Sequence, residues 1–409
     1  MPTDRSLLGF AVRRARLAGR AILDFGRVPW FLPLDELRAE TKRKGGTLVS
    51  FANYDYLGLA DHPAINKAAH AALDEVGVGA LGSRLVGGER LIHAKLERSL
   101  ANFVGTDDCL TLVSGYLANL STISHLMGKL DLIIYDELSH NSIVAGVTGG
   151  KAESVMFHHN DMEHLRSLLK EKRESYHNCL IAVESLYSMD GDVADLPTLL
   201  RLKEEFGCWL LVDEAHSIGV LGKTGRGISE HFGVDPQRID IIIGTLSKTF
   251  ASCGGFICAK EPVLTLLRYS LPGFVYSVGL PPVIAAATQA ALGVLIQEPQ
   301  RVAALHDNSS HFLKRAKEAN LATGGAEGYA IVPILFPDMK TTMAVSEFLL
   351  ERGIYAPPIV YMGVPQGLPR IRFFISARHT TEEIDRTIDA IASFSAAHST
   401  PTAAAAAGA

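Results

Sequence analysis

Few cysteines and no long apolar runs set the first limits on this chain. The 409 residues include five cysteines, Cys109, Cys179, Cys208, Cys253 and Cys258, without the C-x-x-C spacing of common zinc and redox sites. We therefore expect reduced, buried thiols in a cytoplasmic protein. The longest apolar runs have the length of a strand, so no transmembrane segment is expected.

An excess of positive charge is also absent. The chain holds 39 Lys and Arg against 44 Asp and Glu, which gives a formal net charge of -5. Proteins that bind nucleic acid usually carry a basic face. We therefore expect no nucleic-acid partner.

The N-terminus is rich in arginine, with Asp4 as its one acidic residue among the first 20. This composition fits an organelle transit peptide, but it also fits an amphipathic helix that docks on the body of the protein or on a partner subunit. We favour the helix, whose apolar face would consist of Leu7, Leu8, Phe10, Val12, Leu17 and Ile22.

The length of the chain suits one large domain with a smaller lobe. Pattern and composition predict an N-terminal helical segment over residues 1–50, a large domain over 51–295, a smaller α+β domain over 296–395 and a disordered, Ala-rich tail over 396–409. The two domains are expected to share an interface, since no linker rich in Pro, Gly or Ser separates them.

Short apolar runs alternate with helix-length segments between residues 110 and 260, which predicts an α/β fold with a mainly parallel sheet. The predicted strands are Cys109 to Val113, Leu130 to Tyr135, Leu180 to Glu184, Trp209 to Asp213, Ile239 to Gly244 and Gly255 to Ala259. Polar residues or glycines follow most of these runs. Because ligands of open α/β sheets bind beyond the carboxyl ends of the strands, we expect a binding site there.

Asp213 and Lys248 are the central residues of this predicted site. A carboxylate at a strand end can pair with a protonated heterocyclic nitrogen, although Asp213 alone could simply cap a helix. A lysine removed from water loses its proton easily and forms Schiff bases, although most lysines face solvent. The two residues follow successive predicted strands, which favours a joint role in chemistry.

Other strand ends carry residues suited to the same ligand. Ser114, Gly115 and Tyr116 stand at a strand-to-helix turn, where free backbone N–H groups bind phosphate, and the hydroxyls of Thr245 and Ser247 add donors. His140, Glu184 and Ser188 follow two further strands. His140 could stack on an aromatic ring or be an ordinary surface histidine.

The order of the motifs SGY, DELSHNS, ESLYSMDGD, VDEAHSIGVLGKTGRG and GTLSKTFASCGG resembles the α-oxoamine synthases, a family of enzymes that use pyridoxal 5'-phosphate (PLP). The resemblance extends from Phe51 to Arg372. It implies the fold-type I PLP-dependent transferase fold, with a seven-stranded sheet in the large, PLP-binding domain. It also implies a homodimer whose subunits share their active sites.

The resemblance implies a role for each matching residue. Lys248 would bind PLP covalently, Asp213 would pair with the pyridine nitrogen, and His216 and Ser188 would lie near the phenolic oxygen. His140 would stack on the ring, with Glu184 in the same site. The phosphate would be bound at Ser114, Gly115, Tyr116, Thr245 and Ser247. Asn53 and Arg372 would bind the carboxylate of the substrate.

The chain departs from the family pattern at several positions. Val278 and Gly279 stand where many relatives carry adjacent hydroxyls for the phosphate of the partner subunit, which leaves Ser277 as the candidate for that contact. Ser247 replaces the glycine that several relatives place before the lysine. Asp55 lengthens the usual Asn-Tyr-Leu-Gly sequence after Asn53.

The reaction that the resemblance implies is a decarboxylative condensation of an α-amino acid with an acyl thioester. Serine, alanine or glycine would react with an acyl-coenzyme A or an acyl-carrier protein, with a weak preference for a medium or long chain as in serine palmitoyltransferase. 8-Amino-7-oxononanoate synthase and 2-amino-3-ketobutyrate ligase activities are alternatives. An aminotransferase or racemase would need the same lysine and aspartate, whereas a non-catalytic partner subunit would need neither.

Overall fold

The computed structural model describes residues 6–13, 30–34, 40–43, 46–359 and 369–398. Its strands are β1 Glu40–Arg43, β2 Gly46–Ser50, β3 Asp108–Leu112, β4 Leu132–Asp136, β5 Glu153–Phe157, β6 Cys179–Glu184, β7 Trp209–Asp213, β8 Ile241–Thr245, β9 Gly255–Ala259, β10 Ile331–Leu335, β11 Ile354–Tyr355, β12 Pro358–Ile359 and β13 Arg370–Phe374.

Helices alternate with these strands over most of the described chain. They are α1 (residues 7–13), α2 Pro63–Glu75, α3 Leu91–Val104, α4 Gly115–Leu126, α5 Asn141–Gly149, α6 Met162–Lys172, α7 Leu196–Phe206, α8 Ile228–Phe232, α9 Glu261–Ser270, α10 Pro272–Val275, α11 Pro282–Gln297, α12 Gln300–Glu318, α13 Met339–Glu351 and α14 Thr381–His398. No helix among the described residues is long and apolar enough to cross a membrane.

A seven-stranded sheet with the order β3-β9-β8-β7-β6-β4-β5 forms the centre of the fold. Pairs β4–β5, β4–β6, β6–β7 and β7–β8 are parallel, whereas β9 runs antiparallel to both β3 and β8. The predicted α/β fold with a mainly parallel sheet is therefore confirmed. The sequence prediction missed β5, an edge strand that is largely exposed, because such a strand lacks an apolar run.

Both faces of this sheet are buried. Along β6, Leu180 and Ala182 belong to one apolar core, while Ile181 and Val183 belong to the other. Successive side chains of a strand point to opposite faces, so a strand that is covered on both faces reads as a continuous apolar run. This double coverage explains why the central strands could be predicted from composition alone.

Two three-stranded sheets lie outside the central one. Strand β10 pairs with β13, which also pairs with β12. Strand β2 pairs with β1 and, in parallel, with β11, so residues 46–50 join the C-terminal third of the chain. The prediction of a helical segment over residues 1–50 is wrong for β1 and β2, which pair with each other while β2 also pairs with β11, and this pairing holds them as strands. The domain boundaries predicted at residues 50, 295 and 395 stay a prediction.

The N-terminal helix is present over residues 7–13, and its apolar side chains are exposed. Leu7 is 82% and Leu8 73% exposed, so these side chains do not pack on the body of the same chain. The rest of the predicted helix, including Leu17 and Ile22, lies outside the described residues. The disordered tail is predicted to begin at residue 396, but α14 continues to His398; residues 399–409 lie outside the described residues.

All five cysteines are free thiols. Cys109, Cys179, Cys208 and Cys258 are buried as predicted, but the prediction is wrong for Cys253, which is exposed. Cys253 stands in the turn between β8 and β9, where the chain leaves the core and borders the cavity described below.

Candidate active site

The carboxyl ends of β3, β4, β6, β7 and β8 open into one cavity of about 870 Å³. Its lining contains most of the site residues that the sequence predicts. These are Ser114, Gly115, Tyr116, His140, Glu184, Ser188, Asp213, His216, Thr245, Ser247, Lys248 and Arg372. The sheet thus brings together residues that lie up to 258 positions apart, from Ser114 to Arg372.

Asp213 is the last residue of β7 and is 4% exposed. Its Oδ2 accepts a hydrogen bond of 2.7 Å from Nδ2 of Asn119, and its Oδ1 accepts one of 2.9 Å from the backbone N–H of Ala215. Nδ2 of Asn119 also donates to the hydroxyl of Ser142 over 3.0 Å. Donors on both oxygens fix the orientation of the carboxylate.

Lys248 lies three residues beyond the end of β8 and lines the same cavity. Burial lowers the pKa of its amine, against the opposing attraction of Asp213 and Glu184. Its Nζ lies 5.5 Å from the centre of the Tyr54 ring, and it has no ion pair among the described residues. A partly desolvated, unpaired amine is the form that a Schiff-base nucleophile requires.

The start of α4 forms a cradle beside this lysine. Ser114 caps the helix, and its Oγ accepts from the N–H groups of Tyr116 and Leu117. A Cβ on Gly255 would lie 2.5 Å from the Cα of Gly115, so the helix start and β9 touch through their backbones. Thr245 Oγ1 lies 2.8 Å from Ser247 Oγ on the adjacent strand end. A helix N-terminus next to two hydroxyls suits a phosphate group.

His216 is paired with Tyr56. The Tyr56 hydroxyl lies 2.7 Å from Nδ1 of His216, and both side chains are buried. Burial lowers the pKa of His216 well below its usual range, so the ring is neutral, and burial raises that of Tyr56. The tautomer of His216 decides which atom donates in this bond. With the phenol as donor, the ring proton is on Nε2, and His216 is a hydrogen-bond donor through that nitrogen.

Glu184 ends β6, beside Asp213 in the sheet register. Burial and then the charge of Asp213 raise its pKa to about 8. Its Oε2 accepts from the N–H of Ser188 over 3.3 Å, whereas Oε1 is buried without a hydrogen-bond partner among the described residues. A neutral carboxyl at pH 7 holds this position without adding a second charge beside Asp213.

His140 lies at the mouth of the cavity as the N-cap of α5. Its Nδ1 lies 2.7 Å from the Ser142 hydroxyl and accepts from the N–H of Ser142. Burial lowers its pKa, so the ring is neutral at pH 7. Its orientation is therefore fixed from the helix side.

Two arginines of β13 line the cavity and differ in their partners. Arg370 is 3% exposed and pairs with Asp190, with 2.6 Å between Nη1 and Oδ1. Arg372 donates to the carbonyl oxygen of Ser188 over 2.6 Å, and its buried Nε has no hydrogen-bond partner among the described residues. No ion pair of Arg372 occurs in the described part of the chain, so its charge is available for an anion.

Two predicted site residues do not line this cavity. Asn53 lies next to Tyr54 outside the lining, and its Oδ1 accepts from the N–H of Asp55. Ser277 follows α10 and is also outside the lining. Sequence reasoning in turn missed the roles of Asn119, Tyr56 and Arg370. The available signal for Asn119 was an amide between the apolar residues Ala118 and Leu120 of α4.

PLP fits the residues of this cavity. It would need a desolvated lysine, a fixed carboxylate and a phosphate cradle, and Lys248, Asp213 and the start of α4 provide these. The buried atoms without partners, Oε1 of Glu184 and Nε of Arg372, point to polar ligand atoms that would complete their hydrogen bonds. The fold and the site together define a PLP-dependent enzyme of fold type I.

Comparisons with known proteins agree with this class. The family model of aminotransferase class I and II matches residues 47–391. The chain is 38% identical to 8-amino-7-oxononanoate synthase 1 of Bacillus velezensis, over 86% of this chain and 89% of the relative.

Solved structures of serine palmitoyltransferases are also similar. That of Sphingomonas wittichii superposes with a TM-score of 0.88 and 32% identity, covering 93% of this chain and 96% of the other. A variant from S. paucimobilis with bound PLP and myriocin gives a TM-score of 0.90 and 30% identity, covering 96% and 99%. The chain belongs to the aminotransferase class I and II family and, within it, to the PLP-dependent α-oxoamine synthases.

Proposed function

We propose that this α-oxoamine synthase condenses a small α-amino acid with an acyl thioester that carries an uncharged chain. Carbon dioxide and the free thiol leave, and an α-aminoketone forms. The observation that supports this proposal is the position of Arg372, a guanidinium without an acidic partner in the described residues that lines the same cavity as Lys248 and Asp213. A guanidinium binds a carboxylate through two parallel hydrogen bonds.

Each residue has a separate task in the proposed reaction. Arg372 holds the amino acid by its carboxylate. The neutral amine of Lys248 takes the proton from Cα and later returns one to the same carbon. Bound PLP supplies the electron sink for the charge that develops at Cα. Asp213 keeps the pyridine nitrogen protonated, so that this sink stays effective.

The remaining polar residues hold the cofactor and the acyl group. His216 would donate from Nε2 toward the phenolic oxygen of PLP, with Ser188 and Glu184 beside it. The residues that would hold the phosphate are Ser114, Gly115, Tyr116, Thr245 and Ser247. His140, at the mouth, would stack on the ring and position the thioester carbonyl, whose carbon gains the new carbon–carbon bond and loses its bond to sulfur.

The charge of the cavity lining favours an uncharged acyl chain. Within the described lining, Arg370 is paired with Asp190 and Arg372 is assigned to the amino acid, so only Lys248 remains as a further lysine or arginine. Apolar side chains make up much of the remaining lining, namely Val113, Leu138, Val144, Met189, Ile243 and Ile359. Such a surface suits a medium or long acyl chain. The name of the structural relatives, serine palmitoyltransferase, refers to a chain of this kind.

8-Amino-7-oxononanoate synthase activity is the second candidate, because the relative with that name is 38% identical. Its product name describes decarboxylated alanine joined to a seven-carbon acyl group that ends in a carboxylate. That second carboxylate would need a further cationic partner beyond those of the described lining.

A homodimer is part of the same proposal. The segment 76–91 and the residues after α10 form one exposed apolar surface, which we call the apolar rim: Val78, Leu81, Leu85, Val86, Leu91, Tyr276 and Val278. The two segments are joined by a hydrogen bond of 3.0 Å from Gly279 N to Gly82 O. An apolar patch of this kind is typical of a subunit interface. If a second copy of the chain covered the apolar rim, Ser277 would lie near the cofactor phosphate in the partner subunit. The free thiols support a cytoplasmic location for this dimer.

A substrate panel tests the proposed donor. The PLP-loaded protein is mixed with serine, alanine or glycine and with palmitoyl-CoA, acetyl-CoA or the CoA ester of a seven-carbon dicarboxylic acid, and free thiol is measured. We expect the fastest release with palmitoyl-CoA. Faster release with the dicarboxylic ester and alanine would overturn the uncharged donor in favour of the second candidate.

A further inference from the structure

A histidine held between two carboxylates lies behind the active site. Nδ1 of His159 is 3.0 Å from Oδ1 of Asp136, and Nε2 is 2.8 Å from Oδ2 of Asp192. Asp136 is fully buried, while the side chains of His159 and Asp192 are 21% and 14% exposed. We call these three residues the imidazolium clasp.

The geometry of the clasp requires a doubly protonated ring. A neutral imidazole has one N–H, so one ring nitrogen would point its lone pair at a carboxylate oxygen. Both nitrogens face carboxylates here, and each therefore donates. Consistent with this arrangement, the two carboxylates raise the pKa of His159 to about 10, against the effect of burial.

The clasp joins two loops that enter the active site. Asp136 ends β4 and begins the turn that leads to His140. Asp192 closes the loop that starts at Tyr187, whose N–H donates to the carbonyl oxygen of Asp192 over 2.9 Å. The ring of His159 stands with its edge against Tyr187, with 4.4 Å between the centroids.

Asn160 reinforces the same connection. Its backbone N–H donates to Oδ2 of Asp136, and its Nδ2 donates to Oδ2 of Asp192 over 2.7 Å and to the carbonyl oxygen of Val193. Asn160 has a φ of 52°, a left-handed conformation that asparagine tolerates better than most residues. The backbone therefore turns so that both neighbours, His159 and Asn160, reach the two aspartates.

The second loop holds the arginines of the cavity. Ser188 offers its carbonyl oxygen to Arg372, and Asp190 pairs with Arg370. A displacement of this loop would move both guanidinium groups. The cradle at the start of α4 and the Asn119–Asp213 pair make no contact with the clasp through these hydrogen bonds.

We propose that His159 is a positioning residue: its doubly protonated ring fixes the loop of His140 against the loop of Ser188 and Asp190, and so sets the place of Arg372 for the amino-acid carboxylate. The role of Arg372 in this statement rests on the proposed function, whereas the connection between the loops does not. Loss of the clasp weakens amino-acid binding more than PLP binding, because the position of Arg372 depends on the clasp, whereas Lys248, Asp213 and the start of α4 lie outside it.

The test compares His159→Gln with His158→Gln. His158 is the preceding residue, its side chain is 68% exposed, and its ring contacts Glu137 and His164, so its replacement leaves the clasp intact. Three quantities are measured: PLP dissociation, amino-acid dissociation from the shift of the visible spectrum, and amide hydrogen exchange of the apoprotein.

We expect His159→Gln to weaken amino-acid binding roughly tenfold, as a small misplacement of a binding group does. PLP affinity should fall by a smaller factor, because Lys248, Asp213 and the start of α4 do not belong to the two loops. Exchange should accelerate in residues 136–140 and 187–193. His158→Gln should match the unaltered protein.

Unchanged exchange in His159→Gln would overturn the clasp whatever the activity of the protein. Faster exchange with unchanged amino-acid binding, or an equal loss of PLP and amino-acid affinity, would overturn the positioning role. If the amino acid does not shift the visible spectrum of the unaltered protein, that result counts against the proposed function. The exchange measurement alone then shows whether the clasp connects the two loops.

Asp192→Asn tests the charge of the ring. The groups that face His159 are Asp136, Asp192, the Tyr187 ring and, at its backbone N–H, Glu137 beside His158. Removal of one carboxylate lowers the pKa of His159 from about 10 toward its usual value. Relative to the unaltered protein, the variant should bind the amino acid normally in weakly acid solution and resemble His159→Gln in alkaline solution. An equal effect at both pH values would contradict the doubly protonated ring.

Discussion

At the scale of single residues, the site combines charges that oppose one another within one cavity. Lys248 and Glu184 lie close enough to Asp213, and to each other, for these charges to shift their pKa values. Burial raises the pKa of Glu184, which is therefore neutral at pH 7, and lowers that of Lys248, whose amine therefore loses its proton easily. Donors on both oxygens hold the Asp213 carboxylate in place. Glu184 is buried, and its Oε1 has no hydrogen-bond partner among the described residues.

Glu184→Gln should change how stability depends on pH. The pKa of Glu184 rises from 4.5 in the unfolded chain to about 8 in the fold. Between these values the unfolded chain releases the proton and the folded protein retains it, so stability falls as pH rises through this window. Thermal unfolding of the apoprotein at pH 5 and pH 8 measures this effect. We expect the melting temperature of Glu184→Gln to rise relative to the unaltered protein as pH increases, and a constant difference would contradict the neutral carboxyl.

The residues that sequence reasoning found and missed differ in what surrounds them along the chain. Asp213 ends one apolar strand and Lys248 lies three residues beyond another, so their place at the sheet edge could be predicted from the neighbouring sequence. Asn119 and Tyr56 act through partners 94 and 160 positions away, and no local pattern encodes such a contact. The wrong prediction for Cys253 has the same origin, because an apolar surrounding sequence does not show that the turn opens into a cavity.

At the scale of elements, the cofactor cradle depends on the close approach of α4 and β9. Gly115 and Gly255 meet through their backbones, and no side chain fits between them. The sequence predicted both elements and the glycine at the helix start. It did not predict that β9 is antiparallel to its neighbours, because the direction of a strand is set by connections that composition does not reveal.

Gly255→Ala should weaken PLP binding. The new Cβ would lie 2.5 Å from the Cα of Gly115, so the start of α4 must move away from Thr245. Overpacking of this kind costs about 1–3 kcal/mol. PLP affinity measured by fluorescence quenching should fall by a corresponding factor.

Gly293→Ala is the matched control for this substitution. Gly293 lies within α11, and a Cβ there meets no atom within 4 Å. It should leave PLP affinity unchanged and stabilise the fold by roughly 0.5–1 kcal/mol, because alanine loses less backbone freedom in a helix. Equal PLP affinity in both variants would contradict the role of the backbone approach.

At the scale of the whole molecule, the apolar rim is the feature that a single chain leaves unexplained. Arg84, within the segment 76–91 that carries most of the rim, is 7% exposed and forms ion pairs with Glu97 and Glu89. Leu91 is 93% and Val86 86% exposed, and such side chains favour burial against another surface.

The double variant Val86→Asp, Leu91→Asp should be monomeric in analytical ultracentrifugation, because charges on the apolar rim oppose its burial. Its PLP affinity should fall, since Ser277 would no longer reach the second cavity. Leu130→Asp is the control, because Leu130 is 61% exposed near the amino end of β4. An unchanged oligomeric state in the double variant would show that the rim is not the interface.

The central claim is that this cavity joins an amino acid to an acyl thioester. The most direct measurement supplies the PLP-loaded protein with serine, alanine or glycine labelled in the carboxyl carbon, together with an acyl-CoA, and counts labelled carbon dioxide and free thiol in the same sample. The account predicts equal amounts of both for one amino acid, and neither product in Lys248→Ala. Consumption of the amino acid to a 2-oxo acid, without thiol or carbon dioxide, would contradict it and indicate an aminotransferase.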